Sequence, residues 1–308
     1  MKLYTIDGNR LKSVDNHSFK LEKEIQTLVE NNLDELFNLE FVKSELPIKN
    51  FRLDTLAYDQ ENKSFVIIEY KRERNFSVID QGYTYMSILL NNKADFILEY
   101  HDHCGITLKK NEVDWTQSKV IFISPYFTEY QKTSVDFKDV PFELWEIKRY
   151  VNGLIGLNQH KTTSKESITA TSKSKEDVVL KVTQQVTVHT EESLLNKSKS
   201  RPEWVVEIYK KLRDRVLNLG EVEVVPKKRI VSFQRKYPIL GVSIHNEGLY
   251  CVLNMRRGTL QDPSGFSILF DEDALHVGEG DYYFNIQQDT DLDYVMFLIN
   301  QSYKKKLA

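Results

Sequence analysis

The sequence predicts an α/β protein in two parts: a mixed sheet flanked by helices, then a separate and smaller α+β domain. Three observations carry that expectation. Before residue 150, helical periodicity alternates with short apolar runs, some alternating and some continuous, as a sheet covered by helices requires. Between 158 and 200 the chain turns rich in Ser, Thr and Lys and holds no Phe, Trp or Tyr. That composition buries too little apolar area to offset its ordering entropy, so a flexible linker is expected there. From 201 onward, one strongly periodic helix, several short strands and a closing helix fill a length adequate for a domain. The expected division is therefore 1–157, linker 158–200, and 201–308.

In the first part a helix is expected over 19–37, where Leu21, Ile25, Leu28, Val29, Leu33 and Leu36 form one apolar stripe. Strands should follow near 41–46, 52–58 and 65–71, then a second helix over 78–90. That helix opens at Ser77, with Asp80 three residues on, a capping-box pattern. KVIFIS at 119–124 has the continuous apolar character of a buried strand, and 142–147 is another. The sequence leaves room for a short strand or helix around 178–188. In the last part, Pro202 stands where helices begin, and the periodic run after it stops at Gly220. Strands near 223–225, 229–233, 239–245, 249–255 and 282–286 precede a helix over 292–303.

Hydrophobic residues make up 41% and charged residues 28% of the 308, a globular composition. No secretory leader or membrane span is visible, and Cys104 and Cys251 show no metal-ligand spacing. A reduced, cytoplasmic protein with no membrane partner is expected. The net charge of -3 argues against strong non-specific binding to nucleic acid, which runs on phosphate neutralisation. It leaves room for a local basic groove beside an acidic site.

The chemistry concentrates in RLDTLAYDQENKSFVIIEYKRER. Two apolar strands flank the polar loop 60–63, a hairpin pattern. If Asp59 pairs with Ser64, counting places Asp54 opposite Glu69, with Cβ atoms about 4.5–5.5 Å apart on one face. Two facing carboxylates repel unless something positive lies between them, and a hard divalent cation is the usual solution. Lys71 shares the face of Glu69, as do Phe65 and Ile67, while Val66, Ile68 and Tyr70 cover the other. On the preceding helix, Glu22 lies roughly 55° and Glu24 roughly 105° from the centre of the apolar stripe, so Glu22 is the acid nearer the core. Gln81 falls between Val78 and Tyr85 and directs an amide inward. Without a metal, Glu69 and Lys71 would read as an edge-strand ion pair, Glu22 as a solvated helix residue and Gln81 as a satisfied core amide.

Glu22-x-x-x-Gln26, Asp54, Glu69-Tyr70-Lys71 and Gln81 resemble the PD-(D/E)XK nuclease superfamily, and within it the catalytic domains of NucS-type endonucleases. The resemblance covers residues 21–86 by motif, with Leu53 in place of the proline that names the pattern. It implies a restriction-endonuclease-like mixed sheet, with Asp54, Glu69 and Glu22 binding Mg²⁺ or Mn²⁺. Lys71 would assist the attacking water and Gln81 would orient the site. The last part is similar to a small C-terminal domain of unknown function that is often appended to such nuclease-like domains. It occurs in proteins sometimes labelled predicted transport proteins, a label that no membrane span supports.

The resemblance implies a metal-dependent endonuclease hydrolysing phosphodiester bonds in DNA, with homodimers as a means of cutting both strands. One alternative is a catalytically silent nuclease fold that only binds nucleic acid. Another is a protein-interaction module of a defence or stress system, acting on a partner through its C-terminal domain. Other motifs are weaker. His101-Asp102-His103-Cys104 reads as a polar loop. Arg72 and Arg74, the run Lys227-Lys228-Arg229 and the pair Arg256-Arg257 are candidate phosphate contacts or plain surface charge. Tyr250 to Val252 reads as sheet core rather than a base-stacking platform.

Overall fold

A computed structural model describes residues 2–72, 77–168, 178–271 and 278–305. The chain divides into two units, Met1–Val188 and His189–Ala308. The first unit is a mixed α/β layer structure and the second a smaller α+β structure, as the sequence predicts.

The first unit opens with a hairpin of β1 (Leu3–Asp7) and β2 (Arg10–Val14) that forms its own two-stranded sheet. The helix expected over 19–37 is broken into α1 (Glu22–Glu30) and α2 (Leu33–Phe37). The break falls at Asn31 and Asn32, where the Asn32 amide donates to the Leu28 carbonyl at 2.7 Å. Side chains of this kind compete with the helical ladder.

A six-stranded sheet follows, in the order β3 (Glu40–Ile48), β4 (Phe51–Asp59), β5 (Ser64–Tyr70), β6 (Lys119–Ser124), β7 (Phe142–Arg149) and β8 (Ile155–His160). β3, β4 and β5 are antiparallel neighbours, β5, β6 and β7 run parallel, and β8 is antiparallel to β7. Parallel β5 and β6 require a crossover, supplied by α3 (Val78–Asn91) and α4 (Lys93–Cys104). All seven residues of β5 are buried. Phe65 and Ile67 pack with Met86, Leu89 and Phe96 on the α3–α4 side. Val66, Ile68 and Tyr70 pack with Ile25 and Val29 of α1 on the other.

α3 approaches the sheet closely at Gly82, where a Cβ atom would lie 2.7 Å from the ring of Phe142. That ring is edge-on to Tyr83, with centroids 4.9 Å apart. At the start of β6, Lys119 pairs with Glu143 of β7 at 2.6 Å. α5 (Glu129–Val135), with a Thr128–Gln131 capping box, connects β6 to β7.

The stretch expected to be a flexible linker carries structure over much of its described length. β8 reaches His160, and α6 (Val178–Gln185) buries Val182 in the core of the first unit, where Val186 is buried too. α7 (Glu191–Leu195) places Leu194 in the core of the second. Residues 169–177 lie outside the described residues. α6 falls where a short strand or helix was expected around 178–188, whereas the polar composition hid the leucines of α7. His101 to Cys104, expected as a loop, form the last turn of α4, which Gly105 ends in the left-handed conformation. Four consecutive helical residues point around the axis and cannot converge on one ion.

In the second unit, α8 (Glu203–Leu217) and α9 (Leu292–Lys304) pack on a six-stranded antiparallel sheet. Its strands are β9 (Glu223–Pro226), β10 (Val231–Gln234), β11 (Pro238–Ile244), β12 (Leu249–Leu253), β13 (Ile268–Leu269) and β14 (Tyr282–Ile286), in the order β13-β14-β12-β11-β10-β9. Val231, Val242, Cys251 and Phe284 are successive cross-strand partners and form the core face. No helix among the described residues is long and apolar enough to cross a membrane.

Candidate active site

The β4–β5 hairpin has the expected register, with Asp59 paired to Ser64 and Thr55 to Ile68. The next position sets Asp54 across from Glu69. There the ladder stops, because the Tyr70 N–H donates to Asp54 Oδ2 at 3.0 Å. A side-chain carboxylate takes the place of the next main-chain acceptor. β5 stays anchored on its other edge, where the Lys71 N–H donates to the Ile123 carbonyl at 2.9 Å.

Glu69 is only 2% exposed. Its Oε1 accepts from Lys71 Nζ and from Gln81 Nε2, each at 2.6 Å. Its Oε2 is buried with no hydrogen-bond partner. Gln81 reaches Glu69 from the first turn of α3, where the Ser77 hydroxyl accepts from the Asp80 N–H at 3.3 Å. The same amide donates to the Tyr85 hydroxyl at 2.8 Å, one helical turn on. Asp54, Glu69, Lys71 and Gln81 therefore lie together, and Tyr85 joins them.

The electrostatics follow from burial and crowding. Burial, then the charge of Glu69, pushes the Asp54 carboxyl up to about 7, against the pull of the Tyr70 N–H and of Lys71. Burial draws the Lys71 ammonium down, but the hydrogen bond and charge of Glu69, with Asp54 and Glu22 behind it, outweigh that effect and hold it above the ordinary lysine value. Burial and the neighbouring Glu69 carboxylate push the Tyr85 phenol up.

Glu22 does not complete a three-acid cluster. α1 begins at this residue, one turn before Ile25, its first buried side chain, and Glu22 stays exposed. It reaches the site only as a charge that acts on Lys71. Among the described residues, no three His, Cys, Asp or Glu side chains form a group able to hold a metal.

The inward-facing polar residue of α1 is Gln26. It is 4% exposed and donates to the Asp54 carbonyl at 2.9 Å, to Glu30 Oε1 at 2.9 Å and to Ser44 Oγ at 3.2 Å. Glu30 also accepts from the Thr55 hydroxyl at 2.6 Å, which lies 3.2 Å from the Tyr70 hydroxyl. A polar network on the α1 side thus ties down the backbone of Asp54. The signal was an amide inside the apolar stripe, flanked by Ile25 and followed by Val29.

Glu45 was missed altogether. It adopts φ +54 in the middle of β3, between the Ser44–Thr55 and Leu46–Leu53 pairs, and so lies across from Asp54. Arg52 Nε holds it at 2.7 Å and Lys23 Nζ at 3.3 Å. Burial raises its pKa, yet Gln26, Lys23 and Arg52 together bring it below the ordinary value. Arg72 follows the site directly, while Arg74 lies outside the described residues.

Two opposed carboxylates, one with a buried oxygen lacking any donor, suit a hard divalent cation. Mg²⁺ commonly takes one or two carboxylates and keeps several waters.

Mixed sheet, covering helices and a carboxylate–lysine cluster at the end of β5 define an α/β protein with a buried ionic site. The chain is 39% identical over 306 residues to an uncharacterized protein of Haemophilus influenzae, covering 99% of this chain and 100% of that one, and it belongs to the same family. Residues 191–306 match the family described as Domain of unknown function (DUF5655). Solved structures bear a faint likeness to this chain. A repair endonuclease from Pyrococcus abyssi is 17% identical, over 40% of this chain and 45% of that one, with a TM-score of 0.24. EndoMS in complex with double-stranded DNA is 17% identical, over 47% and 64%, with a TM-score of 0.29. Pyrococcus furiosus SfsA in complex with Ca²⁺ is 13% identical, over 49% and 76%, with a TM-score of 0.25. The chain spans less than two thirds of the first two, and likeness at these scores carries no weight for activity.

Proposed function

We propose that the first unit is a Mg²⁺- or Mn²⁺-dependent endonuclease of the PD-(D/E)XK type, hydrolysing phosphodiester bonds in DNA in the cytoplasm. One observation carries the reading: Glu69, buried across from Asp54, has one oxygen shared by Lys71 and Gln81 and the other left without a donor. Burying a carboxylate oxygen unpaired is costly, and a cation ligand is the role that explains it.

Asp54 and Glu69 would hold the ion. When bound, it supplies positive charge against the scissile phosphate and makes water more acidic. The chain's own groups do the rest. Lys71 is held in its charged form, so it acts as a donor that orients the attacking water and stabilises charge on the phosphate oxygens, not as a base. Gln81 fixes the orientation of Glu69, and Gln26 fixes the main chain of Asp54. This division of labour leaves Glu22 outside the ligand set.

The test is cleavage of a panel of labelled DNAs (duplex, mismatched, branched and single-stranded) by the full chain in Mg²⁺ or Mn²⁺. The expected result is metal-dependent cleavage of at least one substrate, lost in Asp54→Ala and in Lys71→Ala. Absence of cleavage across the panel, or equal cleavage by Asp54→Ala, overturns the reading. Binding without cleavage would select the silent nucleic-acid-binding scaffold, which the exposed position of Glu22 favours.

A further inference from the structure

Strand register sorts the side chains of the second unit onto two faces. Val242, Cys251 and Phe284 face the helices, so their neighbours Ser243, Tyr250 and Asn285, and Val252 with Tyr283, face the other way. On that face Tyr250 lies 5.3 Å from Tyr283 between ring centroids, with an interplanar angle of 31°. Phe270 lies 4.6 Å from Tyr283 at 32°. A cavity of about 800 Å³ is lined by Tyr250 and Phe270, within the size range of small-molecule sites.

The same cavity is lined by Arg201, Arg229 and Lys197, with Glu247 as the acid. Among the described residues no carboxylate pairs with any of the three cations. Arg201 donates to the carbonyls of Leu194, Leu195 and Ile244. Those bonds staple the end of α7 to β11, but all three acceptors are neutral and Nε is buried without one. The Arg229 main chain is fixed by the Ser243 hydroxyl, which donates to its carbonyl at 3.0 Å. Among the described lining residues, three cations stand against one carboxylate, a balance that selects an anion. The half-buried rings make it select a flat one, and its volume exceeds what an inorganic anion fills.

We infer that this cleft binds a nucleoside phosphate, with the base against Tyr250 and Phe270 and the phosphate among Arg201, Arg229 and Lys197. A free mononucleotide and the terminal nucleotide of a strand share this chemistry. The inference rests on the second unit alone and stands whether or not the first unit cuts DNA.

Calorimetric titration of the full chain in EDTA tests it, using AMP, GMP and a 5′-phosphorylated single-stranded hexanucleotide. Inorganic phosphate and adenosine serve as half-ligand controls. The expected result is saturable binding of a mononucleotide or of the hexanucleotide, about tenfold tighter than either half-ligand. Tyr250→Ala and Arg229→Ala should each weaken it about tenfold, while Tyr250→Phe retains it and thermal unfolding is unchanged. Preference for the hexanucleotide identifies a strand end, and binding of mononucleotides alone identifies a free nucleotide. No saturable binding of any phosphate-bearing probe, or affinity indifferent to Tyr250→Ala and Arg229→Ala together, overturns the inference.

Discussion

Two Lys–Glu pairs sit in the same sheet with the same 2.6 Å separation, and they are built to opposite ends. In Lys119–Glu143 the second carboxylate oxygen accepts from the Trp145 indole at 2.8 Å. Burial raises the Glu143 pKa, but Lys119 and the indole bring it below the ordinary value. That pair is complete. In Lys71–Glu69 the second oxygen has no donor, and another carboxylate faces it. Distance between charges is thus a poor guide to role. What separates a structural ion pair from a candidate site is whether every lone pair has a partner.

The sharpest way to break the comparison is to neutralise both glutamates. Glu69→Gln should lower metal-dependent cleavage by about 10³-fold in a labelled-DNA assay, whereas Glu143→Gln leaves cleavage within about twofold at temperatures where it is folded. Equal loss in both variants would erase the distinction. Glu143→Gln strands Lys119, and because both partners keep some solvent contact the cost is about 1–2 kcal/mol by denaturant unfolding.

The pH dependences should also oppose one another. Asp54 has a folded pKa raised to about 7, so the folded state binds the proton more tightly. The resulting stability is present below the unfolded carboxylate value and is lost as pH rises through about 7. Asp54→Asn should therefore stabilise the metal-free protein by about 1–3 kcal/mol at pH 8 and by little at pH 4. Glu143 has a lowered folded pKa, so its contribution is present above the unfolded value and disappears as pH falls through the folded one. The deficit of Glu143→Gln should shrink in acid.

Metal should act on one pair only. Mn²⁺ at a hundredfold excess over its dissociation constant should stabilise the protein by about 2.7 kcal/mol, an effect lost in Asp54→Asn and retained in Glu143→Gln. The smallest expected effect belongs to Gln81→Met, which leaves Oε1 of Glu69 to Lys71 alone. It should slow cleavage about tenfold, or about 1.4 kcal/mol, without altering the Mn²⁺-induced stabilisation by more than a fraction of that.

Much of this first unit was legible in the sequence because strand periodicity and hairpin counting are local rules. Asp59 opposite Ser64 fixes Asp54 opposite Glu69, alternation then assigns Lys71 to the same side, and helical spacing between Val78 and Tyr85 turns Gln81 inward. Glu22 failed because helical angle says nothing about where along its axis a helix begins to cover the sheet. Glu45 was invisible because a left-handed glutamate inside a strand has no composition signal. The Gln26–Glu30–Thr55–Tyr70 network needed three elements to meet, which no single periodicity reports. α7 was hidden by averaging, since Ser and Lys surround the few apolar residues that pack, whereas α6 falls where a short strand or helix was expected around 178–188. In the second unit, Cys251 is core as expected, but Tyr250 points to the other face of the same strand, a face it shares with the buried Val252.

Replacing helical glycines with alanine is a routine route to a hardier protein, and inside a helix the exchange is ordinarily favourable by up to about 1 kcal/mol. Gly82 reverses that arithmetic. A methyl group there would collide with the Phe142 ring at 2.7 Å and lever α3 away from β7, carrying with it the amide of the residue just before. Thermostabilisation by that route would loosen Gln81 from Glu69, so the missing side chain at position 82 works as a spacer that sets the grip on the buried carboxylate.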